Sequence, residues 1–206
     1  IKGTAKAKNA KTQKSTIAEV SKSNNKVNWV RSFVEEFKEG SNFETTPTEF
    51  YQNDSIAVIG NESIVKDALL ANLNINGIRN LSLPYNANIH EAIKSFKPTR
   101  IIVTPSAITN DIEDLRDQVG TISSLAQSLS SQVKSLSFIQ QGDGKFGQSD
   151  CTYKAWASSL FHEKPSLAVS VIDLGDHFKK QNVAEFIFNL IGDNAGAGLS
   201  IIGTNP

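Results

Sequence analysis

The chain has no methionine, one cysteine and no long apolar run, and each of these absences excludes something. A single thiol, Cys151, cannot close an internal disulfide and fits a reducing compartment, so a cytoplasmic location is expected. No stretch approaches the roughly 20 apolar residues that a membrane span needs, and the N-terminus lacks the apolar core of a secretion signal. Charge of one sign is missing too. The 21 Lys and Arg balance the 21 Asp and Glu, so no net field directs the chain to nucleic acid or a membrane surface. Cys151 and the three histidines, His90, His162 and His177, never fall at i, i+3 or i, i+4, which leaves no metal-ligand spacing. A chain without Met that starts at Ile1 is expected to be a piece of a longer polypeptide, and such a piece need not hold a whole active site.

What is present suffices for one core: 39% of the 206 residues are hydrophobic, with 11 Phe and 2 Trp as bulky filling. Residues 1–26 are rich in Lys, Ala, Asn, Ser and Thr and read as a flexible basic linker. Val27, Trp29, Val30, Phe33, Val34 and Phe37 then make one apolar stripe on a helix ending near Gly40. That helix is expected to pack on the body of the domain, with residues 41–54 as a connecting loop. From Ser55 strands and helices alternate. Strands are expected over 55–59, 78–83, 100–103, 135–140, 167–172 and 199–202. Helices are expected over 64–73, 89–96, 111–134, 152–162 and 182–191. The long helix over 111–134 should face inward through Ile112, Leu115, Val119, Ile122, Leu125, Ala126 and Leu129, with Gly120 weakening its middle. This alternation predicts an α/β fold over residues 55–206: a truncated Rossmann-like, mainly parallel sheet with helices on both faces and right-handed crossovers.

Such sheets bind nucleotides on a Gly-rich turn after the first strand, where the backbone approaches the pyrophosphate and a helix N-terminus faces it. Here Ile56-Ala-Val-Ile59 runs into Gly60-Asn-Glu-Ser63, with one glycine and an acid, Glu62, where phosphate should lie. Gly192, Gly196 and Gly198 match the spacing of a reductase cofactor loop. They follow a helical stripe (Val183, Phe186, Ile187, Leu190) instead of a strand, so a helix-to-strand connection is expected. Reductases also place Tyr four residues before Lys, so that the ammonium lowers the phenol pKa. Tyr51, Tyr85 and Tyr153 are followed at that position by Ser55, Ile89 and Ala157. Cys151 and His162 lie on one helix roughly 16 Å apart at 1.5 Å per residue, too far for a nucleophile–base pair. Gly142-Asp-Gly144-Lys-Phe-Gly147 follows a strand without the Lys-Ser/Thr ending of a P-loop. No catalytic, metal or cofactor-binding residue is therefore assigned. An alternative reading, a nucleotide- or small-ligand-binding enzyme domain, would use Gly60, Thr104, Gly142, Gly144 and Gly147 at the strand ends.

The run from Leu125 to Leu174 carries a resemblance. Leu125-Ala-Gln-Ser-Leu129, Leu136-Ser-Phe-Ile-Gln140, the Gly142–Gly147 turn, the helix Tyr153–His162 stopped by Pro165, and Val169-Ser-Val-Ile-Asp173-Leu174 follow one another. In that order they resemble the ketoreductase region of polyketide and polyunsaturated fatty acid synthases. There a structural half braces a catalytic half that binds NADPH and holds the Ser, Tyr, Lys and Asn machinery. These segments resemble the structural half, and the resemblance extends over residues 55–202. It implies a non-catalytic scaffold, with no cofactor of its own and NADPH in the catalytic half. Its partners would be that half or adjacent dehydratase or carrier domains. Bulky Lys154 and Trp156 replace the glycine that usually opens this helix, which leaves a pseudo-ketoreductase open. Val171, Ile172, Leu199, Ile201 and Ile202 are the expected contributors to the contact with the neighbouring domain.

Overall fold

The computed structural model describes residues 53–85, 87–104, 112–142, 151–179, 181–193 and 198–203. The expected linker 1–26, the amphipathic segment 27–40 and most of the loop 41–54 lie outside the described residues, as do Gly144 and Gly147. Six strands form one sheet: β1 (Ser55–Ile59), β2 (Arg79–Leu83), β3 (Arg100–Val103), β4 (Ser135–Gln140), β5 (Ala168–Asp173) and β6 (Gly198–Gly203). Between them run α1 (Ile64–Ile75), α2 (Ile89–Phe96), α3 (Ile112–Ser128), α4 (Cys151–Glu163) and α5 (Val183–Asp193), with a 3-10 turn at Gly175–Lys179. The strand order is β2-β1-β3-β4-β5-β6, and every neighbouring pair is parallel. The α/β class, the parallel sheet and helices on both faces are as the sequence predicts.

Burial on two faces explains the composition of the inner strands. β1, β3, β4 and β5 are buried at every residue; apolar side chains dominate one side, and on the other Ser135, Ser137 and Ser170 alternate with apolar residues in β4 and β5. Ala57, Ile59, Ile101, Val103, Leu136, Phe138, Val169 and Val171 pack on one face with α2, α3 and α4. Ile56, Val58, Ile102, Ile139 and Ile172 pack on the other with α1 and α5.

Local signals fix the helix ends. Ser63 Oγ accepts the Lys66 backbone N–H at 3.2 Å and caps α1, while Asn88 Oδ1 accepts the Glu91 N–H at 3.5 Å at the start of α2. α3 stops at Ser128, six residues short of the expected end. The chain turns at Ser130, whose carbonyl accepts the Val133 N–H at 3.1 Å. Its apolar face is also shorter than expected. Ile122, Leu125 and Leu129 are buried, but Ile112 and Val119 are 80% and 51% exposed. α3 packs chiefly beside α2, and at 1.5 Å per residue the two helices are about 25 and 12 Å long, so one outruns the other.

The crossovers are not all of one hand. Passing from β1 to β2 the chain crosses the α1/α5 face; from β2 to β3, β3 to β4 and β4 to β5 it moves the opposite way over the other face. These four share a hand. From β5 to β6 it keeps moving outward but crosses with α5 on the α1 face, which makes this crossover opposite in hand. The expectation of uniformly right-handed crossovers fails here for a packing reason. A helix is about 10 Å wide and covers about two strands at 4.8 Å spacing. Thus α2, α3 and α4 already fill one face, and the apolar stripe of α5 is what closes the other beside α1.

At the N-terminal end of the sheet, Asp54 is buried rather than a loop residue in solvent. Its carboxylate accepts from Arg100 Nε at 2.5 Å, from Thr99 Oγ1 at 2.8 Å and from Lys134 Nζ at 3.3 Å. Arg100 Nη1 also donates to Ser135 Oγ at 3.1 Å, so one cluster ties the starts of β1, β3 and β4. Burial alone would raise the Asp54 pKa. The hydrogen bonds of Arg100 and Thr99 and the charges of Arg100 and Lys134 outweigh it and lower the pKa. With a folded pKa below the unfolded one, this contribution is present above the unfolded carboxylate pKa and is lost as pH falls through the folded pKa. Asp54→Asn, which removes the charge of the buried ion pair with Arg100, should destabilise the protein by about 3 kcal/mol near neutral pH. Urea unfolding at pH 7 and pH 3 checks this: the gap between variant and wild type should shrink at the lower pH.

Candidate functional site

Strand order dictates where a site could form. β1 hands the chain to β2 on one side and β3 hands it to β4 on the other, so the connections diverge above the β1/β3 pair. In open parallel sheets the crevice at such a switch point, outside the C-terminal strand ends, is where ligands bind. The residues there are Gly60 after β1, Thr104 after β3 and Tyr85 after β2.

Sequence reasoning placed Gly60 and Thr104 at this edge, and the structure brings them into contact. The Thr104 N–H donates to Ile59 O at 2.8 Å and its hydroxyl to the same oxygen at 3.2 Å. A Cβ on Gly60 (φ +153°) would run into Thr104 Oγ1. The glycine thus serves the close approach of a neighbouring strand end, not that of a phosphate. Gly142 lies apart at the β4/β5 end, where its N–H and that of Gly175 donate to Asp173 Oδ1 at 2.9 and 3.1 Å. The Asp-Leu pair that ends β5 is therefore a tie between two strand exits, closed by the Leu174 N–H on Gln140 O at 3.0 Å.

The crevice itself is filled by the chain's own polar side chains. Tyr85, 3% exposed, donates its hydroxyl to Thr104 O at 2.5 Å. Its oxygen lies 3.2 Å from the Tyr153 hydroxyl of α4. Since the Tyr85 proton is committed to Thr104, Tyr153 is the donor to Tyr85. Thr121 Oγ1 of α3 donates to the Tyr85 carbonyl, and Phe138 stacks on the Tyr153 ring with centroids 5.3 Å apart. Burial, together with the neighbouring Tyr153, pushes the Tyr85 pKa up. Burial likewise raises that of Tyr153. Both phenols are neutral structural donors. Beside them a cavity of about 300 Å³ remains, lined by Tyr85, Ala87, Arg116, Gly120, Thr121 and Ser124 among others. That is the lower end of the size of ligand pockets.

On the other side of Gly60, Lys66 is 5% exposed and donates from Nζ to Gly60 O at 2.5 Å and Leu83 O at 3.0 Å. Burial pushes its pKa down, against the raising effect of the Asp67 and Glu62 carboxylates. Glu62 itself is exposed. Sequence reasoning missed Lys66, although its spacing from Leu69 and Leu73 marks a charge on the buried stripe of α1. It also weighed Tyr85 and Tyr153 only as partners of an absent lysine; their pairing, 68 residues apart, leaves no local trace. Of the expected contact residues, Val171 and Ile172 are fully buried inside the sheet, whereas Leu199, Ile201 and Ile202 are half-buried on the outermost strand. Among the described residues no three His, Cys, Asp or Glu cluster as metal ligands, and no helix is long and apolar enough to cross a membrane.

Sheet and crevice together define an all-parallel, doubly wound α/β domain of Rossmann-like class. No family model matches the sequence, and no curated protein matches it. Among solved structures, the chain is similar to a GDP-L-fucose synthetase from Naegleria fowleri (13% identity, TM-score 0.41). There 58% of this chain is covered and 54% of that one, so the chain spans about half of its length. It is similar to a cysteine-to-alanine mutant of flavodoxin from Pseudomonas aeruginosa at 14% identity, TM-score 0.47, covering 68% of this chain and 96% of that one. A diflavin flavoprotein from Nostoc sp. is similar at 13% identity and TM-score 0.44, over 68% and 94% of the two chains. These likenesses concern the fold alone, and the fold stands on the sheet's own topology.

Two substitutions test these contacts at the strand ends. Gly60→Ala should destabilise by at least about 2 kcal/mol, from its φ and the contact with Thr104. Tyr85→Phe should cost about 1–2 kcal/mol, more than Tyr153→Phe, because it removes the donor to Thr104 and the acceptor of Tyr153 together. In a double-mutant cycle by urea unfolding the two losses should be less than additive.

Proposed function

We propose that this domain is a non-catalytic scaffold. In this reading it serves as the structural half of a ketoreductase region in a polyketide or polyunsaturated fatty acid synthase, or of a pseudo-ketoreductase. The observation that carries it is the filled switch-point crevice. Thr104 sits against Gly60, the tyrosine pair occupies the space beyond, and Lys66 takes the carbonyls on the other side. A Rossmann-like sheet that binds a dinucleotide keeps this space open to the pyrophosphate. The order of segments from Leu125 to Leu174 supports the synthase assignment by resemblance, and the cytoplasm is the location that goes with it. The domain itself performs no reaction. NADPH belongs to a catalytic half elsewhere in the parent chain, and this domain braces that half or an adjacent dehydratase or carrier domain. The β6 residues Leu199, Ile201 and Ile202 would stand nearest the contact, because apolar side chains there remain half-buried on an outermost strand.

Titration with NADPH, followed by cofactor fluorescence, tests this reading against the alternative of a nucleotide- or small-ligand-binding domain. The expected result is no saturable change up to millimolar cofactor. Binding in the micromolar range or tighter would sink the scaffold reading.

A further inference from the structure

Asparagines hold the turn from α1 into β2. Asn76, the C-terminal cap of α1, donates from Nδ2 to Asn72 O at 2.8 Å and to Asn72 Oδ1 at 3.1 Å. Asn80 of β2 donates from its own Nδ2 to Asn74 Oδ1 at 2.8 Å and to Ile78 O at 3.0 Å. The backbone closes the same turn. The Gly77 N–H donates to Asn74 O at 3.1 Å and the Ile78 N–H to Leu73 O at 2.9 Å. These side-chain amides thus fasten the last turn of α1, and that of Asn80 fastens it to the outermost strand. Asn76 and Gly77 are both exposed. They form the only Asn-Gly pair in the chain, whereas Asn72, Asn74 and Asn80 are followed by Leu73, Ile75 and Leu81. A bulky side chain shields the backbone nitrogen that follows an asparagine; glycine leaves that nitrogen open and the backbone free to turn about it.

We propose that Asn76 is a site of self-modification, held closed by the folded turn and released when the end of α1 opens. The backbone nitrogen of Gly77 attacks Asn76 Cγ, a C–N bond forms and the bond from Cγ to Nδ2 breaks. Nδ2 leaves as ammonia, with the proton that the Gly77 nitrogen loses, and a cyclic imide remains. Water opens the imide at either carbonyl. The product is aspartate or, with the main chain rerouted through the side chain, isoaspartate. In the folded turn this attack is out of reach. Asn76 has φ −87° and ψ 3°, which turns the Gly77 nitrogen away from its side chain, and the bonds to Asn72 draw the amide back along the helix. Gly77 sits at φ +66° with its N–H engaged. These restraints lie at a helix end, where local opening costs least.

The product cannot restore the turn. A carboxylate has no hydrogen to give to Asn72, so it sets an acceptor against Asn72 O and Oδ1. It also places a negative charge at the C-terminal end of a helix whose last turn carries no basic residue. Modification therefore loosens α1 from β2 in one direction only. The inference does not depend on the scaffold reading, since this turn lies at the end of the sheet remote from the tyrosine-filled crevice.

Incubation of the full chain in heavy-oxygen water at mildly alkaline pH, with and without guanidinium chloride, tests it. Peptide mass spectrometry reads which asparagines have become labelled acids, with Asn72, Asn74 and Asn80 as internal standards. In the unfolded chain Asn76 should convert several-fold faster than these three. In the folded chain its rate should fall several-fold, and Asn80→Ala, which releases the turn from β2, should restore part of that loss. Asn76→Asp, which stands in for the product, should speed hydrogen exchange at Gly77 and Ile78 while leaving β4 unchanged. Conversion of Asn76 at the same rate folded and unfolded, or no faster than its neighbours when unfolded, would overturn the proposal. Exchange at Gly77 and Ile78 unaltered by Asn76→Asp would overturn the one-way loosening.

Discussion

The C-terminal ends of parallel strands present backbone groups that something must satisfy, and in this domain the chain satisfies them itself. Ile59 O receives both the N–H and the hydroxyl of Thr104, and Thr104 O receives the Tyr85 hydroxyl. Gly60 O receives Lys66, and the Tyr85 carbonyl receives Thr121. A buried carbonyl left without a donor costs about 1–3 kcal/mol. Each of these side chains therefore has a structural reason to stay in place, and a ligand entering the crevice would have to replace several at once. Occlusion here is a consequence of hydrogen-bond satisfaction as much as of bulk. At the helix start nearest the crevice, Ser63 takes one of the free N–H groups of α1, that of Lys66.

The two ends of the sheet solve the same problem with different chemistry. At the N-terminal end a carboxylate and a guanidinium pair inside the sheet, and three strand starts are tied through Asp54, Arg100 and Ser135. At the C-terminal end the ties are hydroxyls, backbone N–H groups, the Lys66 amine and the Asp173 carboxylate. The first arrangement depends on pH through the ionisation of Asp54. The phenols of the second have raised pKa values and stay protonated across the ordinary range.

The class of fold was legible because it follows from patterns within short windows. Strands such as Ile56-Ala-Val-Ile59 and Val169-Ser-Val-Ile172 are apolar runs of strand length, and helices such as 89–96 carry capping residues and a single stripe. Handedness was not legible in the same way. The reversal at α5 depends on how many helices already occupy each face, a property of the whole sheet. The exposure of Ile112 and Val119 depends likewise on the relative lengths of α2 and α3. At the site, Gly60 and Thr104 could be placed from their positions after strands, but their mutual contact could not. The missing phosphate loop was visible as absent glycines; that tyrosines and a lysine had taken the space was not, since no motif links residues 66, 85 and 153.

The two outermost strands differ in a way that bears on a scaffold's partners. On β2, Arg79 lies over the Phe96 ring at 4.6 Å and donates to Phe96 O at 3.2 Å, while Asn80 Nδ2 donates to Asn74 Oδ1 at 2.8 Å. A charged side chain and a bonded amide on an outermost strand discourage further strand pairing. β6, Gly-Leu-Ser-Ile-Ile-Gly, carries no charge and no proline, and its side chains stay half-buried. It is also the strand reached by the crossover of opposite hand, and its place in the sheet is held by pairing with β5 and by α4 on one face. A strand added to a sheet and left without protective charge is a cost to an isolated domain. Under the proposed scaffold reading, that cost is offset where a neighbouring domain covers the strand.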